Sequence, residues 1–195
     1  SWLCGSFRPG VTERDGKCCY VINSGGCCGR PFVIGGSARQ STVVGRTDWL
    51  RGGHCQTDDA PLNAAARAAL ASAWASDALM EHASIASFAR FTLELLASGA
   101  PAHLVLGAQR AGLDEVAHAE ACFALASRFA GQGLGPTALA MGDLELSRNL
   151  SEIAVAAVRE GCVGETLAAA LAQAQLAVVG DSQCREALEL IARDE

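Results

Sequence analysis

The stretch Glu115-Val116-Ala117-His118 decides how this chain reads. A glutamate and a histidine three residues apart lie one turn apart on one helix face, so a carboxylate oxygen and an imidazole nitrogen can reach the same point. The segment around them has an apolar seam at spacings of three and four: Leu104, Ala108, Ala111, Glu115, His118, Cys122, Leu125, Phe129. A polar pair inside such a seam is either a satisfied core pair or a set of ligands. One such motif arises often by chance, so the rest of the chain has to choose.

Working outward, the pattern recurs. Before it comes Leu70, Trp74, Ala78, Glu81, Ile85, Phe88, Thr92, Leu95; after it Leu150, Ile153, Ala157, Glu160, Gly164, Leu167, Leu171, Ala174, Val178, and then Leu188, Ile191, Glu195. Each seam is apolar or small except for a glutamate, joined by His118 in the seam that holds Glu115. A buried, unpaired carboxylate costs several kcal/mol, and four together cost far more. Arg90, Arg110, Arg159 and Arg193 all fall off the seams, so guanidinium is not expected to balance the carboxylates. Two divalent cations would. The expected metal ligands are Glu81, Glu115, His118, Glu160 and Glu195. Oxygen ligands with histidine suit iron or manganese, and carboxylates can bridge two ions. Glu165 is an alternative to Glu160, off the seam. His82 follows Glu81 directly and points about 100° away round the helix, which suits a supporting or boundary residue. Cys122 reads as a small core residue and His103 as a solvated one.

Punctuation sets the helix limits. Asp58-Asp59-Ala60-Pro61 reads as a helix start, with a capping side chain and a proline that needs no N–H partner. The first helix is expected from about 62 to 98, ending at Gly99, and Pro101 opens a second that runs to about 130. A glycine-rich connection over 131–143 leads to a third ending near 179, and Gly180-Asp181-Ser182 turns into a fourth that reaches Glu195. Tight turns imply antiparallel neighbours. The long connection, at ~3.4 Å per residue, is just able to return along a bundle.

Glu81, Glu115/His118, Glu160 and Glu195, one set per helix in that order, resemble the ligand order of the ferritin-like di-iron superfamily, which includes ferritins, rubrerythrins and di-iron oxidases and hydroxylases. The resemblance covers about residues 62–195. Glu81-His82-Ala83-Ser84 and Arg159-Glu160-Gly161-Cys162-Val163-Gly164-Glu165-Thr166 are also similar to secreted ferritin-like domain proteins. The resemblance implies a four-helix bundle with a di-iron or manganese site of oxidase or hydroxylase type. It also implies a second Glu-x-x-His on the fourth helix. The chain stops at Glu195, three residues short of that histidine. The fourth helix is therefore expected to be truncated, as in a fragment of a longer protein, or completed by a partner segment or a second copy, and the metal could be absent from the chain in this form. Two other functions remain open: metal binding or storage without turnover, and an extracellular structural or interaction protein with a vestigial site.

Residues 1–56 have a different grammar. Cys4, Cys18, Cys19, Cys27, Cys28 and Cys55 fall here without a Cys-x-x-Cys pair, which favours a disulfide framework in an oxidising compartment over a zinc ribbon. Their connectivity is open. Short β-prone runs, Cys19–Ile22 before the Asn23-Ser24-Gly25-Gly26 turn and Phe32–Ile34 paired across Gly35-Gly36 with Ser41–Val44, suggest a small β/loop module joined by a 57–61 linker to the helical domain. A secreted, periplasmic or cell-surface location follows from that reading, with any signal peptide already removed. The chain of 195 residues has a net charge of −6 from fourteen arginines, one lysine and 21 acidic residues. No basic stripe points to nucleic acid, and no apolar run approaches the ~18 residues of a membrane span.

Overall fold

The computed structural model describes residues 11–14, 17–20, 32–50 and 62–195. Strand β1 (Val11–Arg14) pairs antiparallel with β2 (Lys17–Tyr20), β3 (Val33–Ile34) with β4 (Ser37–Ala38), and β5 (Val43–Gly45) with β6 (Leu134–Pro136). The helices are α1 (Ala64–Ala97), α2 (Ala102–Ala130), α3 (Leu150–Ala156), a π-helical segment (Ala157–Val163), α4 (Gly164–Leu176) and α5 (Ser182–Asp194). The backbone stays right-handed helical at Ala156, Ala157, Val163 and Gly164, so α3, the π segment and α4 form one continuous rod. With α1, α2 and α5 that makes four helical rods. No helix among the described residues is long and apolar enough to cross a membrane.

Local chemistry fixes the ends. Asn63 caps α1, its side chain accepting from the backbone N–H of Ala66 at 2.8 Å, two residues later than the expected start. Gly99 and Gly131, both at φ 69°, close α1 and α2 in the left-handed conformation that glycine adopts without strain. The turn at 99–101 brings α2 back along α1. Asn149 caps α3 and Asp181 caps α5. The third rod therefore starts at Leu150, later than the end of the expected connection at 143.

One reason for that longer connection is β6. Gly35 and Gly36, at φ 57° and 76°, form a two-residue turn of the kind that matches strand twist, so the hairpin closes on Ser37–Ala38 and not on Ser41–Val44. Val43–Gly45 is left to pair with Leu134–Pro136 after α2. The contact is close: a Cβ on Gly133 would stand 2.6 Å from Thr47 Cγ2 and 2.8 Å from the Arg46 carbonyl oxygen. Residues 32–50 thus lie against the helices. Leu50 is buried in the main apolar cluster with Trp74, Ala78, Phe123, Leu125, Phe129 and Leu188, and Trp49 flanks it. The expected 57–61 linker lies outside the described residues. So do Cys4, Cys27, Cys28 and Cys55, the Asn23–Gly26 turn, and the side chains of Cys18 and Cys19, whose backbone lies in β2 and pairs back to β1. On the helices, Cys162 and Cys184 are free thiols and Cys122 is buried.

Candidate metal centre

Four rods bring acidic groups to one dry point. On α1, Ala78, Glu81 and Ser84 share the face turned to α2, and each is buried. On α2, Glu115 and His118 lie one turn apart on a face that continues through Cys122, Leu125 and Phe129. The end of α5 supplies Glu195. Glu81, Glu115 and His118 are 3%, 3% and 1% exposed, a burial that charged side chains rarely show without a compensating partner. Glu195 is partly exposed as a residue, but its side chain is 3% exposed.

The distances decide what this cluster can hold. His118 Nδ1 stands 3.9 Å from Glu81 Oε2, 3.8 Å from Glu115 Oε2 and 3.7 Å from Glu195 Oε1. Those separations are too long for hydrogen bonds. One ligand atom from each of the four residues lies within 4.8 Å of all the others. Donor atoms bound to one ion at ~2.1 Å stand ~3.0 to 4.2 Å apart, from adjacent to opposite positions. The gaps around Nδ1 fall inside that range. Glu81 Oε2, His118 Nδ1 and Glu195 Oε1 are buried with no hydrogen-bond partner. A buried cluster of Glu81, Glu115, His118 and Glu195 that could hold a metal is therefore present.

The other face of the imidazole sets its tautomer. His118 Nε2 lies 3.4 Å from Asp194 Oδ2, so Nε2 carries the proton and donates, and Nδ1 presents its lone pair to the carboxylates. Asp194 is itself held below the usual carboxylate range, first by its hydrogen bond from Arg193 and then by the one from His118. Sequence reasoning missed Asp194. A signal existed: Asp194-Glu195 echoes Asp114-Glu115.

The third rod departs from expectation. Glu160 does not join the cluster. It sits in the π segment, where Arg90 Nη2 donates to its Oε2 at 2.7 Å and Ser87 Oγ donates at 3.2 Å. Arg90 also donates to the Val33 carbonyl oxygen at 2.6 Å and stacks over Phe32. A guanidinium thus does reach a seam carboxylate, because Arg90 leans across from α1. Glu165 takes the inward place. Both of its oxygens are buried with no hydrogen-bond partner, beside Glu195, Glu115 and Glu81. Burial first, and then the neighbouring Glu195, push its carboxyl up to about 11. Glu81 is likewise raised well above the ordinary range, by burial first and then by Glu115.

A wide π turn explains the exchange. α-Helical spacing from Ile153 places Glu160, Gly164, Leu167 and Leu171 on the seam. The π segment inserts the equivalent of one extra residue, so beyond it the inward positions are Glu165, Ala168 and Ala172. Ala168 and Ala172 are buried, while Leu167 and Leu171 are 41% and 44% exposed.

His82 stands outside the cluster. Its Nδ1 is 3.1 Å from Ser41 Oγ and its ring meets Trp49 edge-on, with centroids 5.1 Å apart. Burial, and then Arg46, lower its pKa. Its place is at the seat of residues 41–50 on α1. No protein-family model, no curated protein and no solved structure matches the chain, so the chemistry of the cluster rests on its own atoms.

Proposed function

We propose that Glu81, Glu115, His118, Glu165 and Glu195 form a carboxylate-rich centre for two divalent ions, iron or manganese, in a ferritin-like bundle, and that the protein is an oxidoreductase acting with dioxygen or peroxide. The observation that carries this reading is the set of buried acceptor atoms facing one another around His118 Nδ1 without a balancing cation. Four carboxylates and a neutral imidazole match two divalent charges. Oxygen donors with one nitrogen suit iron or manganese better than the sulfur-rich sets preferred by zinc or copper(I).

Bound ions of this type would supply the redox change and the Lewis acidity that such oxidations need. The protein's share of the work is legible in its own side chains. The carboxylates of Glu81, Glu115, Glu165 and Glu195 come from three rods and the end of a fourth, and carboxylates can bridge a pair of ions. Asp194 holds the His118 ring with Nδ1 turned inward. Phe123, Leu125, Leu188 and Ile191 keep the surroundings dry, which strengthens every charge interaction inside. A secreted or cell-surface setting and a completing segment or second copy for the short fourth rod belong to the same proposal.

A second reading has an observation of its own. Glu165, raised to about 11, carries a proton at neutral pH, and burial raises Glu81 well above the ordinary range, so the bundle can stand without metal as a scaffold. Metal content separates the two. Purified protein loaded with ferrous iron or manganese, then desalted, should retain up to two ions per chain and show anomalous scattering at the cluster. The Glu115→Ala variant should retain none while keeping its helical signal. Wild type that holds no more metal than Glu115→Ala would leave the scaffold reading standing.

A further inference from the structure

A site this deeply enclosed needs a way in. Glu81 lines a cleft between α1, α4 and α5, together with Trp74, Asp77, Ala168, Leu171 and Gln175 among others. Its volume is about 30 Å³, room for roughly two waters. A cation with six waters does not fit, so it has to shed most of them and accept protein oxygens instead.

We propose that this cleft is the passage by which a divalent cation reaches the buried cluster, with Asp77 as the carboxylate that receives it first. The proposal rests on the metal reading of the cluster given above. Two independent observations support it. Asp77 lies four residues before Glu81, so the two carboxylates sit one turn apart on one face of α1, with Cβ atoms ~5–6 Å apart. Glu81, almost wholly buried, lines the same space, and its Oε2, which has no hydrogen-bond partner, stands 3.9 Å from His118 Nδ1, so this one side chain borders both the cleft and the cluster. The rest of the lining is apolar apart from Gln175, whose amide oxygen is the other uncharged donor at hand.

Asp77 has no structural use among the described residues. It makes no ion pair there, and burial alone, without a charged neighbour, lifts its carboxyl to about 6. At neutral pH it is mainly ionised and available. A half-buried anion at the mouth of a narrow apolar cleft raises local cation concentration and so the rate of arrival. It need not change the final affinity, because it is not one of the groups that surround the bound ion.

Cobalt(II) loading, followed by stopped-flow absorbance on the full chain with Kd from chelator competition, tests this. Asp77→Asn keeps the side-chain shape, and Leu171→Trp narrows the mouth from a position that is already exposed. Both variants should load, and release, about tenfold more slowly or worse, with Kd unchanged within about twofold. Loading of both variants at the wild-type rate would overturn the passage while leaving the metal centre intact. A weakened Kd that comes from faster release in Asp77→Asn would make Asp77 a ligand, also overturning it. Wild type that binds no cobalt(II) sinks the metal reading itself, and the passage with it.

Discussion

Replacing Glu165 by glutamine should make the metal-free protein more stable and its metal centre weaker. Both oxygens of Glu165 are buried without a hydrogen-bond partner, in sight of three other carboxylates. Its carboxyl is raised to about 11 in the folded protein, against 4.5 for an ordinary glutamate. The sign follows from proton binding. Between those two values the folded state holds the proton and the unfolded state releases it, so the stability contribution is complete below 4.5 and is lost as pH rises through the folded value. At pH 7 the loss spans 2.5 pH units (7 − 4.5), or about 3 kcal/mol at 1.36 kcal/mol per unit. Glutamine has nothing to titrate. Urea denaturation in the presence of a chelator, from pH 5 to pH 8, should show wild type losing stability with rising pH. Glu165→Gln should show a shallower slope and gain up to about 3 kcal/mol at pH 7, with metal retention falling in the same variant. A glutamine variant less stable than wild type across the whole range would refute the reasoning, since Glu165 would then be held by favourable partners.

Three further outcomes are expected. Asp194→Ala should leave the fold intact but weaken metal retention about 10- to 100-fold, and nitrogen NMR of His118 should lose its preference for the Nε2–H tautomer; an unchanged tautomer would remove Asp194 from the site. Asp181→Ala removes both the cap of α5, which accepts from the Cys184 N–H at 2.9 Å, and the two-pronged bond from Arg128 at 2.9 and 2.8 Å, so about 1–2 kcal/mol of stability should go at pH 7. That loss should shrink on acidification, because Asp181 is held well below its ordinary value, chiefly by Arg128, and the stabilisation it gives disappears as the carboxylate is protonated. Gly133→Ala drives a methyl into the Arg46 carbonyl and should loosen β5 from β6, read as faster amide exchange over 41–50 with α1 and α2 unaffected.

Much of this architecture is written in short-range patterns. Gly99 and Gly131 mark helix ends because only glycine enters the left-handed region freely, and both ends fall there. The seam on α2 reads correctly over three turns, and Glu115, His118, Cys122, Leu125 and Phe129 are all buried. Asn63 displaced the acidic residues at 58–59 as the cap because Asn-Ala-Ala-Ala offers an equally good side-chain acceptor closer to the apolar run. The strand pairing could not be read. Even the pair closest in sequence, Gly45 and Leu134, is 89 residues apart (134 − 45), and nothing in either segment names the other.

The chain by itself determined that long helices would carry acidic residues into an apolar interior, because three- and four-residue spacing is a property of one helix and survives any arrangement of its neighbours. Glu81, Glu115, His118 and Glu195 meet on that ground. Tertiary structure alone decided which glutamate of the third rod would join them. A π turn slips the register by one residue, Arg90 from α1 captures Glu160, and Glu165 swings to the centre. Gly161 and Gly164 hint that this helix is pliable. Which face a pliable helix turns inward depends on what a neighbouring helix offers it, and one-dimensional periodicity carries no term for that contact.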